Sequence, residues 1–278
     1  MMQETHSDEI CQHERFEFGR NWSAFLSTLN EERLVEAERS LKDMLGVGSL
    51  SGKRFLDLGS GSGLFSLAAR RLGASVHSVD YDPQSVSCTR ALKQQFFLDD
   101  NAWTVEEGSV LDKCYISSLG KFDIVYSWGV LHHTGDMVKG FENALIPLAD
   151  RGMLYISIYN DQGVISEFWS AVKKMYCSSY FGRLFVTCLF VPIYFLRSIL
   201  FGLIRYRSPF GEFLNYKRHR GMSIYHDWID WLGGYPFEVA KPEVVFQFYH
   251  DRGLELKVLS TNNSLGCNQF LFQKRVSE

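Results

Sequence analysis

Blocks of apolar residues recur along the chain with two different spacings. Residues 31–45 place apolar side chains three and four positions apart, which predicts a helix ended by Gly46. Further helices are predicted at 64–73, after Pro83 and at 141–149, and a short strand before Gly108. Other short apolar runs predict buried strands at 54–58, 75–80, 122–128 and 152–159. Strands that alternate with helices predict a parallel sheet with helices on both faces.

The alternation stops near residue 160 and resumes near residue 241. In between lie two helical stretches and an aromatic, glycine-rich segment. Residues 242–253 then predict a helix, and 254–261 and 268–275 predict two strands joined as a hairpin. The predicted fold class is α/β: a doubly wound, mostly parallel seven-stranded sheet with a terminal antiparallel hairpin and a helical, aromatic cap insertion. The predicted division is 1–50 for an N-terminal lid and helix, 51–160 and 241–278 for the Rossmann-like core, and 161–240 for the cap.

Composition narrows the function classes only a little. The 278 residues carry a formal net charge of -3, so no global basic field favours nucleic acid, and the basic cluster at 217–220 is short. None of the six cysteines forms a C-x-x-C pair or a zinc-type cluster, so no metal site is expected. Scattered cysteines and a polar start favour a cytoplasmic location, with peripheral membrane contact as an open alternative.

The densest chemical signal is the sequence FLDLGSGSGLFS at 55–66. Three glycines stand between a strand and a helix, where they let the backbone approach a ligand. A dinucleotide loop needs G-x-G-x-x-G, and its last position falls here on Leu64. Asp57 precedes the first glycine, and a carboxylate there repels a pyrophosphate but holds an ammonium group.

A second carboxylate, Asp80, ends the next predicted strand, 23 residues after Asp57. A carboxylate at that position can accept hydrogen bonds from both hydroxyls of a ribose. Tyr81 follows and can lie against an adenine, while Asp82 before Pro83 suits a helix cap. Either aspartate alone would also fit a loop or cap role, but the glycine loop with both acids makes that reading improbable.

Residues 54–160 resemble class I S-adenosylmethionine-dependent methyltransferases. The matching pieces are LDLGSGSG, VHSVDYDP, EEGSVLD, FDIVYSWGVLHHTGD and LADRGMLYISIYN, and the terminal hairpin fits the last two strands of the family. The resemblance implies a Rossmann-like transferase with S-adenosylmethionine as cofactor and S-adenosylhomocysteine as product. It also implies that Gly108 to Val110 lie beside the adenine, with Ser109 where many members have an aspartate. The expected cofactor-binding residues are Asp57, Gly59, Ser60, Gly61, Gly63, Asp80, Tyr81, Ser109, Val110, Trp128 and Trp22.

The methyl acceptor is less constrained, because in-line displacement at carbon relies mainly on proximity and needs a base only if a proton must leave. The fourth strand ends at Trp128 and is followed by His132 and His133, which are candidate bases or packing residues. Tyr159 and Asp161 leave the fifth strand at the same rim. They are candidates to orient the acceptor, with a turn built from polar residues as the alternative.

Two aromatic segments are candidate covers of the site. Trp22 or Phe18 could close over the cofactor, or could anchor the first helix. Residues 221–238 combine aromatic and polar side chains around a Gly-Gly pair, which suits a substrate cap or the core of the insertion. The polar members of this segment include His226, Asp227 and Asp230.

Residues 184–204 are nearly all apolar and long enough to cross a bilayer. Arg197 and Pro192 interrupt the stretch and count against a span. Burial in the cap or a dimer face is the first interpretation, contact with a membrane surface the second and a true span the last.

The leading functional prediction is methyl transfer to a small molecule through an O, N or S nucleophile, either a small thiol or an amphipathic compound. Two alternatives stay open: a membrane-surface enzyme acting on a lipid-like or quinone precursor, and a cofactor-binding regulatory protein without turnover. Nucleic acid is not expected as a partner, because the net charge is acidic and the basic cluster at 217–220 is short.

Overall fold

The computed structural model describes residues 6–12, 15–19, 22, 26, 29–214 and 224–275. Within these residues one sheet contains strands β1 Arg54–Leu58, β2 Ser75–Asp80, β3 Trp103–Glu107, β4 Phe122–Trp128, β5 Leu148–Tyr159, β6 Leu254–Ser260 and β7 Cys267–Lys274. Their order is β3-β2-β1-β4-β5-β7-β6. The pairs among β1 to β5 are parallel, and β7 is antiparallel to both of its neighbours. The predicted doubly wound sheet with a terminal hairpin is confirmed.

Helices cover both faces of this sheet because alternate strand residues point to opposite sides. In β1, Leu56 belongs to one apolar cluster and Phe55 to the other. The described helices are α1 His6–Cys11, α2 Glu31–Leu45, α3 Leu64–Arg71, α4 Pro83–Phe96, α5 Lys113–Ser118, α6 Met137–Leu145, α7 Val164–Ser178, α8 Tyr180–Tyr206, α9 Ile224–Gly233 and α10 Pro242–His250.

The chain around Pro147 departs from the sequence prediction. The helix expected at 141–149 ends at Leu145, and β5 begins at Leu148, four residues before the expected start at residue 152. Proline has no N–H to continue the helical ladder. Its carbonyl instead accepts a hydrogen bond from Phe122 N at 2.7 Å, which starts the pairing of β5 with β4.

Residues 161–240 supply α7, α8 and α9, and α9 is formed by part of the aromatic, glycine-rich segment. These helices pack on one another through a third apolar cluster that includes Val172, Val186 and Leu232. Burial of the apolar stretch within the cap, one of the two readings placed first, is wrong, because only three residues of α8 are buried: Val186, Ser198 and Gly202. The two helices packed against it, α7 and α9, leave most of this long helix uncovered.

Candidate active site

The order of the strands reverses between β1 and β4, and their carboxyl ends open a crevice there. The loop after β1 lies in this crevice. Gly59 N and Ser60 N donate to the carbonyl of Val79 at the end of β2, at 2.8 and 3.1 Å. Gly59 has a φ of 87°, and a β-carbon there would lie 2.3 Å from Val130 Cγ2. Only glycine therefore lets the loop pass this close to the residues after β4.

A single cavity of about 1360 Å³ runs from this loop to the cap. That volume exceeds an ordinary small-molecule site and can hold two ligands side by side. Its core half is lined by Asp57, Gly59, Ser60, Gly61, Asp80, Tyr81, Ser109, Val110, Trp128 and His133. Its cap half is lined by Tyr159, Trp169, Tyr194, Arg197, Ser198, Phe201, Asp227, Trp228, Asp230 and Trp231.

Asp57 is a buried carboxylate at the cavity wall, 2% exposed. Its Oδ2 accepts a hydrogen bond from Ser66 Oγ at 2.5 Å. Burial raises its pKa to about 7, against the effect of that hydrogen bond. The hydroxyl of Tyr126, another lining residue, is buried and has no hydrogen-bond partner among the described residues. Both groups are therefore available to a polar ligand in the cavity.

Asp80 is held by backbone donors on either side. Gly61 N donates to Oδ2 at 2.8 Å and Asp82 N donates to Oδ1 at 2.9 Å. Burial raises the pKa of Asp80 to about 6 despite these hydrogen bonds. The backbone of Tyr81 also donates to this carboxylate, whose two oxygens together offer about four acceptor sites, so Asp80 can still accept a hydrogen bond from a diol. Asp82 caps α4, as its position before Pro83 suggested.

The other expected cofactor residues divide into two groups. Val110, Trp128 and Ser109 line the cavity, although Ser109 Oγ already accepts from Leu111 N at 3.1 Å. Gly63 does not line it. This residue precedes α3 with a φ of 81° and lies against Thr89, so its glycine serves helix packing. Its expected contact with the cofactor is therefore not supported.

The N-terminal segment covers the core half of the cavity. A β-carbon at Gly61 would lie 3.1 Å from the Trp22 indole. Arg15 forms an ion pair with Glu9 and donates to the carbonyls of His133 at 2.7 Å and Thr134 at 3.2 Å. Glu9 in turn accepts from the Tyr81 hydroxyl at 3.0 Å. Sequence reasoning identified Trp22 and missed Arg15, because no local pattern links residue 15 with residue 133.

Replacing Arg15 with glutamine is expected to weaken binding of S-adenosylhomocysteine by roughly three- to tenfold, because the covering segment loses a largely buried ion pair. Isothermal titration calorimetry measures the change. Arg39→Gln is the control, since Arg39 pairs with Glu36 on an exposed helix surface. Equal affinities for the wild type and Arg15→Gln would show that Arg15 does not hold the segment over the ligand.

The two histidines after β4 have different surroundings, although both lie in the 3₁₀ turn Leu131–His133. His132 is fully buried, is absent from the cavity wall and accepts from Tyr159 N at 3.4 Å. Burial lowers its pKa well below the usual value. His132 is therefore withdrawn as a candidate base, because its ring cannot reach a ligand in the cavity.

His133 lines the cavity, and its Nδ1 lies 2.6 Å from the carbonyl of Pro236. A carbonyl can only accept, so Nδ1 carries the proton and Nε2 is left as an acceptor. Burial lowers the pKa of His133 to about 3, and the nearby charges of Lys173 and Arg15 act in the same direction. His133 is thus a neutral hydrogen-bond acceptor. With so low a pKa it is a weak general base for deprotonating a hydroxyl group of the methyl-accepting substrate.

Tyr159 and Asp161 also differ in their position relative to the cavity. Tyr159 lines the cavity at the end of β5, with its ring 4.1 Å from that of His132 and 5.0 Å from that of Phe237. Asp161 lies outside the cavity wall, and its side chain accepts from Gly163 N at 2.8 Å. The prediction that Asp161 orients an acceptor is corrected: it builds the turn before α7.

The cap contributes more than the sequence indicated. Asp227 and Asp230 line the cavity from α9, while Tyr225 is exposed and does not. The side chain of His226 and the basic cluster at 217–220 lie outside the described residues. Sequence reasoning missed the contributions of α7 and α8, because their cavity-facing residues stand within stretches that look uniformly apolar: Trp169, Tyr194, Arg197, Ser198 and Phe201.

Lys173 of α7 is a buried amine behind this wall. Its Nζ donates to the carbonyl of Trp231 and lies 4.1 Å from the Trp231 ring centroid and 4.9 Å from that of Phe237. Burial lowers its pKa to about 7. In its charged form the amine opposes protonation of both His132 and His133. It thereby favours the neutral histidines described above.

Residues 29–222 match the model of a family described as a methyltransferase domain. This chain belongs to the methyltransferase-domain family. Among curated relatives, a ubiquinone biosynthesis O-methyltransferase of Bradyrhizobium diazoefficiens is 29% identical over 121 residues, 43% of this chain and 45% of the relative. The same-named protein of Xanthomonas campestris pv. campestris (strain B100) is 32% identical over 114 residues, 40% of this chain and 45% of the relative. The chain thus spans about half the length of the curated relatives it matches.

Solved methyltransferase structures share the fold at low identity. A magnesium protoporphyrin IX methyltransferase from Synechocystis PCC 6803 with bound SAH has a TM-score of 0.52 and 12% identity, covering 87% of this chain and 83% of that one. An O-methyltransferase family protein from Burkholderia thailandensis has a TM-score of 0.53 and 14% identity, covering 97% and 67%. The chain therefore has the fold of these methyltransferases.

Proposed function

We propose that this methyltransferase acts on an amphipathic small molecule that lies against the cap. The observation that carries the proposal is the continuity of one cavity from the glycine loop to an aromatic cap wall. A cofactor in the first half leaves the second half for an acceptor. Trp228, Trp231 and Phe201 offer that acceptor a flat apolar surface, while Arg197 and Asp230 are charged groups beside it.

The core half has the chemistry that S-adenosylmethionine needs. Asp57 and the unpartnered Tyr126 hydroxyl are buried polar groups that suit the ammonium end, and Asp80 suits the ribose. Gly59 and Gly61 leave room where side chains would fill the cradle. We propose that these residues hold the cofactor, with Tyr81, Ser109 and Val110 near the adenine. When bound, the cofactor supplies an electrophilic methyl group on a cationic sulfur.

The residues of the chain can position the acceptor nucleophile and exclude water. His133 Nε2 can accept a hydrogen bond from an acceptor O–H, N–H or S–H, and Tyr159 lies beside it at the end of β5. Because the pKa of His133 is about 3, the proton of the acceptor is expected to leave to solvent rather than to stay on this ring. Alignment of the nucleophile then carries most of the rate.

A second candidate is methylation of a lipid-like quinone precursor at the membrane surface. The uncovered apolar helix α8, which also forms part of the cavity wall, favours it. The names of the relatives from Bradyrhizobium and Xanthomonas point to the same class of acceptor. A cytoplasmic location peripheral to the membrane would suit both candidates.

Transfer of labelled methyl from S-adenosylmethionine to a series of catechols with alkyl tails of increasing length tests the proposal. The KM for the acceptor is expected to fall roughly fourfold with each added methylene that reaches the cap wall. Matched alkyl amines and thiols identify the attacking atom. Phe201→Ala should raise the KM for tailed acceptors and leave that for the cofactor unchanged. Equal turnover of tailed acceptors and a sulfonated catechol would contradict the amphipathic acceptor.

A further inference from the structure

The helix α8 presents a long apolar surface to solvent. Among the described residues it alone, with 27 residues, is long and apolar enough to cross a membrane; its most apolar 18-residue window has a mean hydropathy of 2.1 and is only 11% buried. A soluble protein rarely leaves a contiguous surface of this kind uncovered. The surface therefore calls for a partner that takes up apolar side chains.

Six of the exposed apolar side chains form a stripe along the helix. Successive members are four or seven positions apart, which brings them to the same side. We call this stripe the α8 face; it comprises Phe181, Phe185, Leu189, Leu196, Leu200 and Ile204. Among the residues of α8 that line the cavity, Tyr194, Ser198 and Phe201 lie on the other side of the helix, and Arg197 lies at the border between the two sides. The helix thus has an inner, cavity-lining side and an outer, apolar side.

The charged residues of α8 itself are all basic, whereas the acidic Glu212, Asp227 and Asp230 line the cavity. Residues 168–211 contain six basic and no acidic residues, although the whole chain has a net charge of -3. Lys173 is buried, and the other five are exposed: Lys174, Arg183, Arg197, Arg205 and Arg207. A symmetric dimer through this face would bring two identical sets of arginines together. An anionic lipid surface would neutralise them and take up the apolar stripe.

The position of α8 in the fold favours lying on a bilayer over crossing it. The helix packs against α7 and α9 and forms part of the cavity wall, so one side of it belongs to the folded domain. Arg197 and Phe201 both line the cavity and are exposed to solvent, so the cavity rim borders this helix. A helix in this setting can bury its outer side in the lipid interface while its inner side stays with the protein.

We propose that the α8 face docks on an anionic lipid surface, with the helix in the plane of the interface and the cavity rim at the lipid boundary. An acceptor dissolved in the lipid would then enter the cavity between Arg197 and Phe201. The entry route rests on the proposed function; the docking does not. The exposed arginines hold the anionic headgroups while the stripe takes the place of lipid tails near the surface.

Flotation with vesicles tests the docking. The purified full chain is expected to float with vesicles of phosphatidylcholine containing a minor fraction of phosphatidylglycerol, and far less with phosphatidylcholine alone. Leu196→Glu and Ile204→Glu should each lower the bound fraction roughly tenfold, because a carboxylate replaces a buried apolar group and repels the headgroups. Leu98→Glu is the control: Leu98 is 72% exposed in the loop after α4, outside the α8 face.

Three results would overturn the proposal. They are absence of flotation, an equal loss in the Leu98→Glu variant, and resistance of the bound protein to extraction by high salt and alkaline carbonate, which would indicate a span. A dimer that Ile204→Glu dissociates, together with absence of flotation, would assign the α8 face to a second copy instead. Turnover of a short-tailed soluble acceptor keeps the two proposals apart. Leu196→Glu is expected to retain this turnover while it loses flotation, and a wild-type protein that turns the acceptor over but does not float overturns only the docking.

Discussion

Replacing Gly59 with alanine is expected to lower the affinity for S-adenosylhomocysteine by roughly a hundredfold or more, about 3 kcal/mol. A β-carbon at this position would lie 2.3 and 2.5 Å from the two γ-carbons of Val130, well inside contact distance. The positive φ of 87° adds backbone strain that glycine avoids. The loop must therefore move away from Val130, and this movement displaces the backbone atoms that approach the ligand. Isothermal titration calorimetry measures the loss.

The strain and the overlap can be separated with a matched glycine. Gly253 has a φ of 81°, and a β-carbon there would meet no atom within 4 Å. Gly253→Ala should destabilise the protein by roughly 1 kcal/mol in thermal unfolding and leave ligand affinity unchanged. If Gly59→Ala bound the ligand as tightly as Gly253→Ala does, the close approach of the loop would have no part in cofactor binding.

Replacing Asp80 with asparagine is expected to weaken S-adenosylhomocysteine roughly 10- to 100-fold. The ribose hydroxyls lose a charged acceptor, and a buried hydrogen bond to a charged group contributes about 1.5–3 kcal/mol. Asp80 suits this role because Gly61 N and Asp82 N fix the orientation of its carboxylate from both sides. Asp123→Asn is the control, since Asp123 accepts from Arg54 N at the opposite ends of β1 and β4. Unchanged affinity in Asp80→Asn would remove Asp80 from the ribose site.

The pH dependence of binding gives an independent check on the same residue. Burial raises the pKa of Asp80 to about 6, so its carboxylate is charged above that pH and neutral below it. A diol needs the charged acceptor, so wild-type affinity should fall as the pH drops through 6. Asp57, with a pKa of about 7, should contribute a fall in the same direction, because an ammonium group prefers its charged form. In Asp80→Asn only the part due to Asp57 should remain.

The sheet and the core half of the cavity could be predicted from the sequence, because the motifs that indicate them are short and continuous. A glycine loop follows the first buried strand directly, and an acidic residue stands at the end of that strand and of the following one. This pattern predicts the parallel fold and also the edge of the sheet at which the ligand binds. Gly63 shows the limit of such a motif. From the sequence alone, a glycine at this position can be explained either by a nearby ligand or by close packing. The structure shows the close packing, against Thr89.

The cap half of the cavity could not be predicted from the sequence, because it is formed by contacts between segments that are distant in the chain. His132 and His133 are neighbours, and the exit angle of the chain after β4 decides which of them meets the cavity. Arg15 reaches residues 133 and 134 across more than a hundred positions. Likewise, the apolar character of α8 could be predicted from its composition. Its exposure to solvent could not, because it depends on how little of its surface α7 and α9 cover.

Calorimetric titration of the wild-type protein with S-adenosylhomocysteine tests most directly whether this cavity is the cofactor site of a methyltransferase. We predict one molecule bound per chain, with a dissociation constant on the order of micromolar, and competition by S-adenosylmethionine. A folded protein that gives no heat of binding and no thermal stabilisation by either compound would contradict the assignment of the cavity.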